Sequence, residues 1–142
     1  MEIRKLGIGD YEEITKLWTK AKLPYKPNGR DSKDAIAKEM EANPEFFIGA
    51  FESDQLIGTA IVSSDMRKGW INRLAVDPGY QRRSVAKALI AESERVLRKH
   101  CIRIFCALVE NDNSASKALF KECNYVKHRD IIYFSKRESD EV

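Results

Sequence analysis

The feature that most constrains this chain is a change of hydrophobic period at Asp77-Pro78-Gly79. Before it, Trp70 to Val76 alternates, with Trp70, Asn72, Leu74 and Val76 on one face and Ile71, Arg73 and Ala75 on the other, the pattern of a strand. After it, from Tyr80 to Lys99, residues Val85, Ala86, Leu89, Ile90, Ser93, Val96 and Leu97 recur at helical spacing. Ile102 to Val109 follows as a continuous apolar run, as in a strand covered on both faces. Strand, helix and strand in that order imply a crossover that sets the two strands parallel in one sheet.

The rest of the chain reads as further strands and helices around that unit. Glu2 to Leu6 is a short strand, and Asp10 offers a cap for a helix carrying Tyr11, Ile14, Leu17, Trp18 and Ala21 on one side. Leu23 to Gly29 is rich in Pro, Asn and Gly and forms a loop before a second helix from about Ser32 to Glu41. Phe46 to Glu52 and Leu56 to Ser63 are β-prone runs joined by Ser53-Asp54-Gln55, a hairpin. Asn113 to Cys123 is a fourth helix, ended by Asn124 in a left-handed conformation. Tyr125-Val126 and Ile131 to Ser135 add one or two closing strands, and Lys136 to Val142 is a charged tail expected to fray. The expectation is one α/β domain over residues 1–135, with 136–142 as its tail.

Composition narrows the function classes. Lys and Arg number 25 against 22 Asp and Glu, so the net charge of +3 lacks the clustered excess of a nucleic-acid binder. Lys20, Lys22, Lys26 and Arg30 read as a solvated face, and no nucleic-acid partner is expected. No apolar run is long enough to cross a bilayer and no secretory leader is evident, so the expected place is the cytoplasm, away from membranes. Cys101, Cys106 and Cys123 lack a metal-ligand spacing and read as buried reduced thiols, while His100 and His128 stand alone; no metal is expected.

Chemistry concentrates where the strand ending at Val76 turns into the helix. The start of a helix leaves backbone N–H groups unpaired around Arg82, Arg83, Ser84, Val85 and Ala86, and together with the helix dipole they favour an anion. Arg82 and Arg83 add charge able to pair with phosphate oxygens. On these grounds alone, a phosphate site and an ordinary solvated helix start remain equal readings.

The spelling of the turn adds a resemblance. Leu74-Ala75-Val76-Asp77-Pro78 followed by Gln81-Arg82-Arg83-Ser84-Val85-Ala86 resembles the Gln/Arg-x-x-Gly-x-Gly/Ala signature of the GNAT superfamily of N-acetyltransferases. Asn113 to Tyr125 is similar to that family's second motif, Asn-x-x-Ala-x-x-Leu-Tyr-x-x-x-Gly-Phe, and the flavour is loosely that of its ribosomal-protein-alanine acetyltransferases. The resemblance implies a mixed sheet of about six or seven strands flanked by about four helices, splayed between the Trp70 and Ile102 strands. It implies acetyl-CoA in the wedge, with pyrophosphate on the N–H groups of Arg82, Arg83, Ser84, Val85 and Ala86, and with Gln81 and Lys87 also in the cofactor-binding set. Pantetheine would lie along Leu74, Ala75 and Val76, whose backbone would also polarise the thioester carbonyl. Asn113, Ser116 and Phe120 would complete the cofactor-binding set, although Asn113 reads equally as a helix cap.

Three departures bear on activity. Ser84 stands where the family usually has Gly, and Phe120 replaces the Tyr that protonates the leaving thiolate in many members, so no side-chain acid is evident. Leu108 occupies the place where some relatives carry a base, leaving Glu110, Tyr125, Tyr133 and Asp65 as candidates for a proton path. The implied activity is transfer of acetyl from acetyl-CoA to a primary amine of a small molecule, peptide or protein N-terminus by direct attack. The alternative is a non-catalytic CoA-binding regulatory module. Either would act as a monomer or homodimer.

Overall fold

Four strands form an antiparallel meander in chain order: β1 (Glu2–Lys5), β2 (Phe47–Glu52), β3 (Gln55–Ser64) and β4 (Gly69–Val76), with β5 (Phe105–Cys106) parallel to β4 at the edge. Helices α1 (Tyr11–Lys20) and α2 (Lys33–Ala42) lie between β1 and β2, α3 (Arg83–Lys99) connects β4 to β5, and α4 (Ser114–Glu122) follows β5. This computed structural model describes residues 1–81 and 84–142 in full, and residue 83 by its backbone.

Local chemistry accounts for the meander and its helices. Ser53 and Asp54 both take positive φ, 49° and 64°, between the paired Glu52 and Gln55, which is the two-residue hairpin turn whose twist matches its strands. Asp10 sits at the start of α1, but its carboxylate accepts from the Gly7 N–H at 2.8 Å rather than from the helix. Ser32 caps α2 by accepting from the Ala35 N–H at 3.1 Å. Ile14, Leu17 and Trp18 of α1, and Ile36 and Met40 of α2, are buried.

The long helix α3 lies directly on the sheet. Its stripe Val85, Ala86, Leu89, Ile90, Ser93, Val96 and Leu97 is buried throughout, and burying each large aliphatic side chain stabilises by about 2 kcal/mol. Glycine makes this approach possible: a Cβ on Gly58 would stand 2.9 Å from Leu89 Cδ1, and one on Gly69 would stand 2.5 Å from Leu97 Cδ1. The Ser93 hydroxyl, which has no sheet partner, donates to the Leu89 carbonyl at 2.7 Å.

Several expectations need correction. The helix after the turn begins at Arg83, not Tyr80; Pro78–Tyr80 forms a separate 3-10 turn because the Asp77 carboxylate captures the Gly79 N–H. The strand expected over Ile102 to Val109 pairs only at Phe105 and Cys106, with Ile104 and Leu108 exposed at 52% and 60%. No strand forms at Tyr125-Val126 or Ile131 to Ser135, and Ile131, Ile132, Tyr133 and Phe134 are exposed, so the sheet has five strands among the described residues rather than six or seven. The tail does not simply fray: the Lys26 ammonium donates to the Asp140 carbonyl, and Glu141 packs against Gly29. All three thiols are free, but Cys101 is exposed. It takes φ 64° as the left-handed residue ending α3, where the Ile102 N–H returns to the Leu97 carbonyl.

A candidate site where β4 loses its partner

The register shows where β4 becomes available. Thr59 lies opposite Ala75 while Ile61 lies opposite Asn72, so Arg73 and Leu74 together oppose Ala60, a one-residue bulge. Arg73 carries the positive φ of 52°. Because Ala75 and Asp77 turn their polar backbone groups toward β3, Leu74 and Val76 turn theirs toward the other edge. There, pairing with β5 stops at Trp70 opposite Cys106. The bulge also ends the expected grouping of side chains: Val76, opposite Gly58, shares the face of Ile71, and Ala75 shares the face of Asn72.

A largely part-buried network holds the bulge, through residues to which the reading of the sequence gave no functional part. The Trp18 indole N–H donates to the Thr59 hydroxyl at 3.0 Å, and that hydroxyl donates to the Arg73 carbonyl at 3.0 Å. The Arg73 guanidinium pairs with Asp31 at 2.5 Å, donates to the Pro24 carbonyl and lies over the Trp18 ring, 4.8 Å from its centroid. The same Asp31 carboxylate accepts from the Lys26 N–H at 2.7 Å, and the Asp31 carbonyl accepts from the Tyr11 hydroxyl at 2.7 Å. The loop between α1 and α2 is thereby fastened to the bulge.

Beyond Val76, Asp77 fixes the turn. It is nearly inaccessible, takes the Gly79 N–H at 2.8 Å on one oxygen and the Lys20 ammonium at 2.9 Å on the other. The Lys20 hydrogen bond is the larger cause holding its carboxyl below the usual aspartate range. Gln81 and Ser84 are exposed at the helix start, whereas Val85 and Ala86 are buried and offer only backbone. Arg82 and the side chain of Arg83, both expected at the phosphate, lie outside the described residues. Lys87 is paired with Glu122 of α4 at 3.1 Å.

On α4, Asn113 acts as a cap, its side-chain oxygen accepting from the Ser116 N–H at 3.0 Å. Phe120 is buried and meets Tyr125 edge-on with ring centroids 5.0 Å apart. Asn124, at φ 70°, makes the left-handed stop, with the Tyr125 N–H returning to the Phe120 carbonyl at 2.9 Å. The proton-path candidates are otherwise engaged or exposed. The Tyr125 hydroxyl donates to Glu94 at 2.8 Å, and burial, then that carboxylate, push its pKa well up. Asp65 accepts from the Arg67 and Lys68 N–H groups in the β3–β4 turn, Glu110 and Tyr133 are exposed, and Leu108 is a surface residue.

Among the clefts of the described residues, two of about 370 and 380 Å³ are not lined by the expected cofactor residues. The first runs beside Lys16, Lys20, Gln55 and Asp77; the second beside Glu39, Phe46, Ser63 and His100. No cluster of three or more metal-ligating side chains occurs among the described residues, and no described helix is long and apolar enough to cross a membrane.

Known proteins are similar to this chain in sequence and in fold. The model of the acetyltransferase (GNAT) family matches residues 11–125. An acetyltransferase of Photorhabdus laumondii is 31% identical over 139 residues, 96% of this chain and 95% of its own; one of Sodalis glossinidius is 28% identical over 138 residues, 96% and 95% respectively. Among solved structures, the PaiA N-acetyltransferase of Thermoplasma acidophilum in complex with coenzyme A superposes with a TM-score of 0.74 at 25% identity, covering 86% of this chain and 87% of that one. The aminoglycoside acetyltransferase AAC(6')-Iy, bound to a bisubstrate analogue of CoA, shares the fold at a TM-score of 0.77 and 19% identity, covering 96% and 97%.

Proposed function

Since the chain belongs to the acetyltransferase (GNAT) family, we propose that it transfers an acetyl group from acetyl-CoA to a primary amine, using the outer edge of β4 as the site. The observation that carries this reading is the backbone of Leu74 and Val76, turned outward where β5 no longer pairs. A pantetheine arm is itself a chain of amides and fits such an edge as an added strand. Acetyl-CoA supplies a thioester, whose thiolate is a fair leaving group.

The chain's own part is to bind, orient and polarise. The Leu74 N–H beside the bulge suits the thioester carbonyl, and the first-turn N–H groups of α3, at Ser84 to Ala86, suit the pyrophosphate. The Ser84 hydroxyl, exposed at that turn, can donate to a phosphate oxygen. Asn113 and Ser116 would form the opposite wall as polar groups at a helix start, with Asn113 already serving α4. Phe120 supplies packing and no proton, and Tyr125 holds its proton against Glu94. Amine deprotonation through water and thiolate departure without a side-chain acid follow from that set.

Calorimetric titration with acetyl-CoA, followed by thiol release on a panel of small amines and peptides, tests the reading. Binding with turnover supports it. Absence of acetyl-CoA binding at millimolar concentration would overturn it, and binding without turnover on any amine would favour a regulatory CoA-binding module. Arg83→Glu is expected to weaken acetyl-CoA binding through charge repulsion. Residues 1–135 are proposed as the acting domain.

A further inference from the structure

We infer that Arg73 and Asp31, together with Thr59, are positioning residues that orient the β4 bulge so that the Leu74 N–H meets the acetyl carbonyl. This rests on the proposed acetyl-CoA site. The bulge needs such support: Arg73 is a residue with a full side chain at φ 52°, a conformation that costs about 1 kcal/mol or more without compensation. Its peptide is fixed from both ends. Thr59 holds the carbonyl by a partly buried hydrogen bond, and Asp31 and the Pro24 carbonyl hold the guanidinium.

The peptide between Arg73 and Leu74 carries both the carbonyl that Thr59 captures and the N–H that faces the gap. Planarity links the two, so fixing the carbonyl fixes the direction of the N–H. Asp31 is only 6% exposed, and its carboxylate and backbone also meet Lys26, Tyr11 and, at 3.9 Å, the Arg30 guanidinium. Buried ion pairs contribute weakly to stability compared with apolar packing, so the pair's specific effect is geometric. The loop from Leu23 to Asp31 is therefore linked to the outward N–H of β4 through the Arg73 side chain and peptide.

The test uses acetyl-CoA labelled with carbon-13 at the acetyl carbonyl and reads its infrared stretch when bound, alongside the affinity for CoA, which has no acetyl group. Polarisation by the Leu74 N–H should lower the stretching frequency in the wild-type protein. Asp31→Asn and Thr59→Val should reduce that shift by about half or more, with CoA affinity changed by less than about twofold. Thr59→Ser, which retains the hydroxyl, should restore it. The inference is overturned if folded variants keep the full shift, if CoA affinity falls in parallel with it, or if both Asp31→Asn and Thr59→Val fail to fold, since the network would then be structural support alone. Failure of the wild-type protein to bind either CoA or acetyl-CoA would instead sink the proposed function.

Discussion

β3 and β5 flank the same strand, yet they hold it in opposite ways. β3 pairs with β4 along nearly its whole length and is buried without break from Leu56 to Val62, covered by α1 on one face and α3 on the other. β5 meets β4 over two residue pairs, and its neighbours Ile104 and Leu108 are largely in solvent. A strand gripped on one edge and released on the other combines fixed geometry with free hydrogen-bonding groups. The difference explains how the fold can offer backbone as a binding surface without losing its shape.

Substitutions in the two regions should separate by size. Leu89→Ala, at a fully buried side chain of α3 over β3, should cost about 3 kcal/mol in chemical denaturation. Gly58→Val should cost about 2 kcal/mol, because its Cβ would press on Leu89, Val85 and the Ala75 carbonyl. Leu108→Ser beside β5 should change stability by less than about 0.5 kcal/mol. A Leu108→Ser cost similar to that of Leu89→Ala would show that the two regions are equally well packed and break the contrast.

pH should sharpen it. The Asp77 carboxyl is lowered in the folded protein, so its contribution is present above the unfolded value near 3.8 and lost as pH falls through the folded value. Asp77→Asn should flatten the acid limb of the stability profile. Tyr125 behaves in the opposite sense. Its raised phenol contributes fully below the unfolded value of about 10 and less as pH climbs toward the folded value. Ultraviolet titration should show a late-ionising component that is missing in Tyr125→Phe. At the small end, Cys101→Gly should gain about 0.5 kcal/mol by relieving a left-handed residue.

Most of the β3 side was legible in the sequence, because it depends on local period and turn chemistry. The stripe from Val85 to Leu97, the Ser53-Asp54 hairpin and the Asn124 stop all carry their signal within a few residues. The motif at the end of β4 was legible through its spelling. What could not be read was the bulge, since Arg73 interrupts the alternation without a glycine to mark it. Its supports are remote: Trp18 binds Thr59 across 41 positions, and Asp31 binds Arg73 across 42. The β5 side failed for a related reason. An apolar run from Ile102 to Val109 has strand propensity, but propensity does not say how far a neighbouring strand will stay alongside.

The brevity of β5 also bears on how the molecule moves. An edge secured at Phe105 and Cys106 can detach and return while the ladder from β1 to β4 stays intact, because few hydrogen bonds need to break. In deuterium exchange, the Gly69 amide, bonded to the Ile104 carbonyl, should therefore trade its proton well before the central amides of β3. A long, thin ligand could be admitted by this breathing alone, and once seated it would slow the exchange of the very edge that let it in.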